Sequence, residues 1–240
     1  MHQIRPPMKA QFRSLHDFFA LFYPNLCLVC DANLPPNQES ICLPCQYHLP
    51  KTDFHLYKEN AFSERFWGRL PLESGAAFYK FNKGGRTQHL IHRLKYENKQ
   101  AVGVRMGQLY GSKLRESPFF AGIDLIIPVP LHARRFHERG YNQSELFARG
   151  LAEAMKVPSL PDGLERTLHT TTQTHKTRME RLRNVADAFV VKSKKKLEGK
   201  HILLVDDVIT TGATLEACGQ KLLEISGTRL SMATIAIADY

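Results

Sequence analysis

Two adjacent carboxylates and a threonine-rich turn lie close together near the end of the sequence. Asp206 and Asp207 directly follow an apolar run, residues 202–205, that predicts a strand buried on both faces of a sheet. The turn that follows opens a helical pattern and consists of Thr210, Thr211, Gly212, Ala213 and Thr214. Its backbone N–H groups, its hydroxyls and the positive end of the helix dipole suit a phosphate. Carboxylates instead accept hydrogen bonds from ribose hydroxyls or bind Mg²⁺, so the stretch predicts a site for a sugar phosphate.

Three other interpretations of this stretch compete with the first. An apolar run that ends in Asp-Asp also resembles a Walker B strand, but the chain contains no G-x-x-x-x-G-K-[ST] motif and no G-x-G-x-x-G motif. Nucleotide sites of those two kinds are therefore excluded. The alternative that stays open is an ordinary buried strand followed by a turn.

A second stretch, residues 123–157, repeats the order of strand, polar segment and helix. The pattern predicts a strand over residues 123–129, ended by prolines, and a helix that begins near Asn142. The intervening loop contains His132 and three arginines: Arg134, Arg135 and Arg139. This is the layout of an anion site at the carboxyl edge of a sheet, and three guanidinium groups could bind pyrophosphate bidentately. The alternative is ordinary surface charge.

Four cysteines form two Cys-x2-Cys pairs between residues 27 and 45. The four residues are Cys27, Cys30, Cys42 and Cys45. Their spacing lets four thiolates surround one ion tetrahedrally, which predicts a structural Zn²⁺ site, with iron as the main alternative. Disulfides and unpaired thiols are the other interpretations, and disulfides are disfavoured in the cytoplasm. Cys218, in the helix after the threonine-rich turn, is expected to be a small buried apolar residue.

A third polar stretch, residues 166–184, is rich in hydroxyls and basic side chains, among them Lys176 and Arg178. A mobile cover over an anionic substrate has this composition, and so does a disordered surface loop. Composition does not separate these two interpretations.

The elements that position these residues suggest four segments. Residues 1–23 place Leu15, Phe18, Phe19 and Phe22 at helical spacing and predict an amphipathic helix. Residues 24–50 hold the four-cysteine module, residues 51–75 are interpreted as a linker or docking segment, and residues 76–240 as one α/β domain. No apolar run approaches the ~20 residues of a membrane span. The first residues do not resemble a signal peptide, and we expect a cytoplasmic protein.

The formal net charge is +10, and the basic excess falls between residues 61 and 200. Such an excess fits a pyrophosphate or nucleic-acid partner, because each phosphate contact adds a salt-sensitive electrostatic contribution. It fits a solvated surface equally well.

Taken together, the motifs resemble the ComF family, also called the GntX family, of competence-associated phosphoribosyltransferase-like proteins. They are the four-cysteine module, HRLKYENK at residues 92–99, VPLHARRFHERGYNQS at residues 129–144, the Arg166-Thr167-x5-Gln173-x4-Arg178-x5-Asn184 arrangement and the final stretch at residues 201–219. The resemblance implies a type I phosphoribosyltransferase-like domain, with a mostly parallel sheet flanked by helices, preceded by a small zinc ribbon.

The resemblance also implies a ligand and a role. The expected ligand is phosphoribosyl pyrophosphate with Mg²⁺: the threonine-rich turn would hold the 5-phosphate, and the three arginines the pyrophosphate. Asp206 and Asp207 would bind the ribose hydroxyls directly or through Mg²⁺, and Lys176 and Arg178 would close over the pyrophosphate; these four are the candidate catalytic residues. The expected partners are single-stranded DNA and the competence helicase machinery during natural transformation. The alternatives are a non-catalytic module that binds single-stranded nucleic acid and a nucleobase-salvage phosphoribosyltransferase.

Overall fold

The structure is a computed structural model that describes residues 25–35, 40–167 and 188–238. Its contacts divide the chain into two units, Met1–His48 and Leu49–Tyr240. The helix predicted over residues 1–23 lies outside the described residues, and so do Lys176 and Arg178.

The described part of the first unit holds two short structured pieces. Leu26 forms an isolated antiparallel bridge with Asn33, which closes a tight turn around the first cysteine pair. Helix α1, Leu43–His48, begins directly after Cys42 and buries Cys45.

The second unit is built on parallel strands. Its strands are β1 (Ser74–Phe81), β2 (Leu125–Pro128), β3 (Leu164–Arg166), β4 (Phe189–Val191), β5 (His201–Ile209) and β6 (Arg229–Ala238). Four of them form one parallel sheet in the order β1-β6-β5-β2, and β3 pairs with β4 in a separate antiparallel hairpin. The predicted α/β fold with a mostly parallel sheet is confirmed.

Helices connect and flank these strands. They are α2 (Arg86–Tyr96), α3 (Gln100–Glu116), α4 (Ala133–Arg139), α5 (Gln143–Met155), α6 (Lys194–Leu197) and α7 (Ala213–Leu223), with short 3-10 helices at Phe54–Leu56, Ser63–Phe66 and Pro118–Phe120. No helix among these described segments is long and apolar enough to cross a membrane.

The central strand β5 anchors the core. Residues 202–205 are wholly shielded from solvent, as an apolar run buried on both faces predicts. Helices α3 and α5 cross at very close range, and glycines at the crossing make this possible. A Cβ on Gly107 would lie 2.3 Å from the Phe147 carbonyl oxygen, and a Cβ on Gly150 would lie 2.0 Å from the Val104 carbonyl oxygen. This crossing holds the first turn of α5 beside the end of β5.

Residues 51–75 contribute to this core directly. Phe62 and Phe66 are buried in the same apolar cluster as Ile202 and Leu204 of β5. Large aromatic side chains bury the most apolar area, so Phe62 and Phe66 anchor this segment in the domain's interior.

Two local expectations were wrong. The arginines predicted on a loop lie on helix α4, which begins where His132 Nδ1 accepts a hydrogen bond from the Arg134 N–H at 3.2 Å and ends at Gly140 with a φ of 76°. Asp206 and Asp207 were expected after the strand but lie within β5, which continues to Ile209 because it stays paired with β6.

Candidate functional site

A cleft of about 450 Å³ opens at the carboxyl edge of the parallel sheet. β2 and β5 are parallel neighbours, so the segments that follow them meet at this edge. Of the residues considered from sequence, the cleft is lined by Arg135, Arg139, Asp206, Asp207, Thr210 and Thr214. It is also lined by Lys95, Tyr96, Ser144 and Arg166, which were not among the predicted site residues.

The threonine-rich turn, residues 210–214, connects β5 to α7 and surrounds a small pocket of about 40 Å³ that adjoins the cleft and shares Asp206, Thr210 and Thr214 with it. Gly212 has a φ of +80°, and a Cβ there would lie 3.2 Å from two ring carbons of Phe66. Glycine is therefore required both by the left-handed backbone and by the close ring. The Ala213 N–H donates to Thr211 Oγ1 at 3.3 Å, so one hydroxyl lies over the start of the helix.

Asp206 is held by a relay of hydrogen bonds that begins at Val129, the residue directly after β2. The Asn142 side chain donates to the Val129 carbonyl at 3.0 Å and accepts from the Ser144 N–H at 3.1 Å. The Ser144 hydroxyl then donates to Asp206 Oδ1 at 2.7 Å, and the Asp207 N–H donates to the same oxygen at 2.8 Å. The first turn of α5 thus fixes the carboxylate of β5.

Asp206 is the more perturbed of the two carboxylates. Burial, and next the nearby Asp207 carboxylate, raise the pKa of Asp206 to about 7, against the opposing effect of the Ser144 hydrogen bond. The protein therefore holds a group that exchanges a proton near neutral pH at the floor of the cleft.

Asp207 is paired with Lys95, a residue of the HRLKYENK motif on helix α2. Lys95 Nζ, on α2, lies 2.8 Å from Asp207 Oδ2, and the two side chains are only 22% and 13% exposed. The HRLKYENK motif was the available signal for Lys95. A basic helix face is usually solvated, so its periodicity alone could not identify this residue.

The three arginines of helix α4 differ in their surroundings. Arg139 donates to Gln143 Oε1 at 2.9 Å, and its guanidinium carbon lies 5.1 Å from the centre of the Tyr96 ring. Arg135 is exposed and lines the cleft. Arg134 forms an exposed pair with Glu138 at 3.0 Å, and it is not among the cleft-lining residues of the described chain. One helix therefore directs two of its arginines to the cleft.

Arg166 adds a further cation to the cleft from β3. Its guanidinium carbon lies 5.3 Å from the centre of the Phe189 ring, on the partner strand of the hairpin. Burial lowers the pKa of Arg166. The Arg166-Thr167 pair of the final polar motif was the signal for this residue.

The four cysteines form a compact cluster in the first unit. Their Sγ atoms all lie within 4.8 Å of one another, and those of Cys30 and Cys42 are 3.6 Å apart. A tetrahedral Zn²⁺ with bonds of about 2.3 Å to sulfur needs sulfur separations of about 3.8 Å, so the cluster can bind a metal such as zinc. All four are free thiols, as is Cys218, which is buried as expected.

Backbone N–H groups help to stabilise negative charge on this cluster. The N–H groups of Val29 and Cys42 donate to Cys27 Sγ at 3.4 and 3.3 Å. Burial opposes ionisation of Cys27, but these hydrogen bonds outweigh it and lower the pKa of its thiol to about 7. Burial, followed by the neighbouring thiols, raises the pKa of Cys45. Several thiolates close together need a cation, which fits a metal site.

A family model described as the phosphoribosyl transferase domain matches residues 142–239. The matched residues include α5, β5 with its two carboxylates, the turn before α7 and β6, so this part of the chain is a domain of phosphoribosyltransferase type. The solved glutamine phosphoribosylpyrophosphate amidotransferase from Bacillus subtilis aligns with a TM-score of 0.42 and 20% identity, over 60% of this chain and 30% of that chain.

Relatives of known name match most of the chain. Competence protein ComFC of Bacillus subtilis is 36% identical over 227 residues, 83% of this chain and 89% of that protein. Competence protein F of Haemophilus influenzae is 28% identical over 85% of this chain and 93% of that protein. DNA utilization protein YhgH of Escherichia coli strain K12 is 29% identical over 85% of this chain and 92% of that protein. The chain belongs to the ComF family.

Proposed function

We propose that the cleft binds phosphoribosyl pyrophosphate with Mg²⁺, and that the protein acts on or with single-stranded DNA during DNA uptake. The observation that carries the first part is the convergence of three features on one cleft: the two carboxylates of β5, the turn at the start of α7 and the arginines of α4. A sugar carrying phosphate at one end and pyrophosphate at the other needs all three.

Each feature matches one part of this ligand. Residues 210–214 receive the 5-phosphate, because a turn at a helix N-terminus presents backbone N–H groups and hydroxyls. Arg135 and Arg139 receive the pyrophosphate as bidentate donors. Asp206 and Asp207 receive the ribose hydroxyls, directly or through the metal ion.

The two carboxylates also fit Mg²⁺. This ion is usually bound by one or two protein carboxylates together with phosphate oxygens of the substrate, and Asp206 and Asp207 supply that number. When bound, Mg²⁺ would add positive charge against the pyrophosphate. The protein's own contribution is to keep Asp206 oriented through Ser144 and to hold Asp207 beside Lys95.

Transfer from this ligand requires pyrophosphate to leave the sugar as an acceptor approaches. Negative charge grows on the leaving group, so fixed cations next to it stabilise the transition state. Arg135 and Arg139 supply such charge from the cleft, and Lys176 and Arg178 remain proposed as residues that close over it. The acceptor is proposed to belong to single-stranded DNA.

The DNA part of the proposal rests on relatives and on charge. Two of the matched relatives are named as competence proteins and one as a DNA utilization protein. In this chain, Lys194, Lys195 and Lys196 are exposed side by side on α6, close to Lys192. Adjacent lysines favour contacts to a phosphate backbone without reading sequence.

Isothermal titration calorimetry with phosphoribosyl pyrophosphate and Mg²⁺ tests the ligand. The wild type is expected to bind, and the Asp206→Asn/Asp207→Asn double variant to bind at least about tenfold more weakly, since it loses two charge-assisted contacts. Asp162→Asn, which removes an exposed carboxylate, is the matched control. Unchanged affinity in the double variant would overturn the assignment.

Incubation with phosphoribosyl pyrophosphate, Mg²⁺ and single-stranded DNA tests the reaction. Release of pyrophosphate together with modified DNA supports transfer. Salt-sensitive DNA binding without pyrophosphate release would instead support a non-catalytic binding module, which the lysines of α6 favour as second candidate. Pyrophosphate release only with a free nucleobase would point to salvage.

A further inference from the structure

Two arginines, Arg65 and Arg69, donate hydrogen bonds to backbone carbonyls of the phosphate turn. Arg65 lies in the 3-10 helix Ser63–Phe66 and donates through Nη1 to the Thr210 carbonyl and through Nη2 to the Ala238 carbonyl at the end of β6. Arg69 donates to the Thr211 carbonyl at 3.4 Å and to the Arg65 carbonyl at 2.9 Å. Neither arginine lines the cleft or the small pocket among the described residues.

These contacts set the direction of two peptide planes. In a trans peptide the C=O and the following N–H point in opposite directions. Because the Thr210 and Thr211 carbonyls are drawn toward the guanidinium groups, the N–H groups of Thr211 and Gly212 point away from them. Within the described chain, no backbone carbonyl accepts a hydrogen bond from either N–H. Two backbone donors are thus directed to the inner side of the turn.

Arg69 also balances a charge that would oppose an anion. Glu216 lies in the first turn of α7, directly beyond the phosphate turn, and its side chain is only 15% exposed. A carboxylate there is favourable next to an empty helix N-terminus, but it repels a phosphate bound at the same end. The Nη2 atom of Arg69 forms an ion pair with Glu216 Oε2 and offsets that repulsion.

The remaining contact from this segment is apolar. Phe66 is 1% exposed, and its ring closes against Gly212. The segment that carries Arg65 and Arg69 is therefore anchored in the core immediately beneath the turn, so its guanidinium groups act from a rigid base.

We propose that Arg65 and Arg69 are positioning residues that hold the phosphate turn in its anion-binding conformation, and that Arg69 additionally neutralises Glu216. This inference rests on the proposed phosphate site at residues 210–214. It assigns to residues 51–75 a role in ligand affinity that involves no contact with the ligand.

The test measures the affinity for ribose 5-phosphate and for phosphoribosyl pyrophosphate by calorimetry. Arg65→Ala and Arg69→Ala are each expected to weaken ribose 5-phosphate binding about tenfold, as loss of a charge-assisted hydrogen bond predicts. Glu216→Gln alone is expected to change affinity less than about threefold. Adding it to Arg69→Ala is expected to recover about threefold of the tenfold loss, because the uncompensated charge is gone while the bond to the Thr211 carbonyl is still missing.

Arg115→Ala is the matched control. Arg115 of α3 donates to the Ala154 carbonyl of α5 at 3.0 Å, so its removal breaks the same kind of bond at a place outside the phosphate turn. The affinity of this variant for ribose 5-phosphate is expected to stay that of the wild type. Rescue by Glu216→Gln separates charge neutralisation from general destabilisation, which that substitution would not repair. If Arg69→Ala does not fold, Arg69→Lys, which keeps the charge but loses the planar fork, replaces it with an expected loss of about threefold.

The outcomes separate the two proposals. A wild type that binds and arginine variants that bind equally well overturn the positioning role alone. Failure of Glu216→Gln to rescue Arg69→Ala overturns the neutralisation of Glu216. A wild type that binds neither ligand overturns the phosphate site and, with it, this inference.

Discussion

The four-cysteine cluster and the sheet-edge cleft are built in opposite ways. All four cysteines come from residues 27–45, and their Sγ atoms meet because two short turns fold back on each other. The cleft draws Lys95 from α2, Arg135 from α4, Ser144 from α5 and Asp206 from β5, segments far apart in the chain. One site is thus encoded locally, whereas the other depends on the order of strands in a sheet.

This difference determines what stabilises each site. In the described part of the first unit, regular structure amounts to one bridge and helix α1, so we expect the cluster to depend on a bound ion for its stability. The cleft lies on β5, whose central residues are wholly buried, and its carboxylates stay in place through hydrogen bonds that need no ligand. We expect the cysteine cluster to lose its structure when the ion is removed. We expect the cleft to keep its structure after a single substitution.

The largest expected effect is therefore at the cysteines. Cys27→Ser should reduce bound metal from about one equivalent to below one tenth, because a structural site with three thiolates loses its closed shell. Cys218→Ala, which removes a buried thiol of the other unit, should retain the full equivalent.

Elemental analysis of the purified protein gives the metal content and distinguishes zinc from iron. A full equivalent of bound metal in Cys27→Ser would contradict a four-thiolate site. The cysteine cluster would then differ less from the cleft in its sensitivity to a single substitution.

The same contrast explains what could be predicted from sequence. The cysteine cluster follows from two short spacings, and the parallel sheet follows from apolar runs that need both faces covered. The convergence of β2 and β5 was anticipated because each run is followed by polar residues and then a helix. These are short-range patterns, so they can be recognised in the sequence without knowledge of the tertiary structure.

Other residues could not be found this way, because their partners are distant in sequence. Lys95 meets Asp207, and Arg65 meets Thr210, only after the sheet has formed. In residues 51–75, Phe62 and Phe66 fill gaps in a core that other segments create, whereas Tyr57 and Trp67 stay exposed. The helix that carries Arg134 was predicted as a loop, because its start depends on a His132 cap and histidine is a weak cap signal in a sequence.

A smaller effect distinguishes arginines within the cleft. Arg135→Ala or Arg139→Ala should weaken binding of phosphoribosyl pyrophosphate by about tenfold, since a hydrogen bond to a charged group contributes about 1.5–3 kcal/mol. Arg134→Ala should weaken it less than about threefold, because Arg134 pairs with Glu138 and does not line the cleft.

Calorimetry on the three single variants measures this order. Arg134 is the matched control on the same helix, and all three variants lose one positive charge. Equal losses of affinity at the three positions would mean that the ligand responds to the total positive charge of the helix. The cleft would then not contain a defined pyrophosphate site, and the assignment of Arg135 and Arg139 would be contradicted.

The smallest expected effect is a pH-dependent change in stability at Asp206. Its pKa is raised to about 7 in the folded protein, from an ordinary value near 3.8, so the folded state favours the protonated carboxyl. The wild type therefore loses stability as pH rises from about 4 through 7, whereas an asparagine does not titrate. Asp206→Asn can keep both hydrogen bonds to Oδ1, from Ser144 and from the Asp207 N–H. Without Mg²⁺, the variant's advantage in Tm should grow by a few °C between pH 5.5 and 8.5.

Thermal melts of Asp206→Asn, with Asp162→Asn as the control at an exposed carboxylate, measure this pH dependence of Tm. A constant difference across pH would show that the carboxylate is ionised throughout, and the cleft would then hold two full charges beside Lys95.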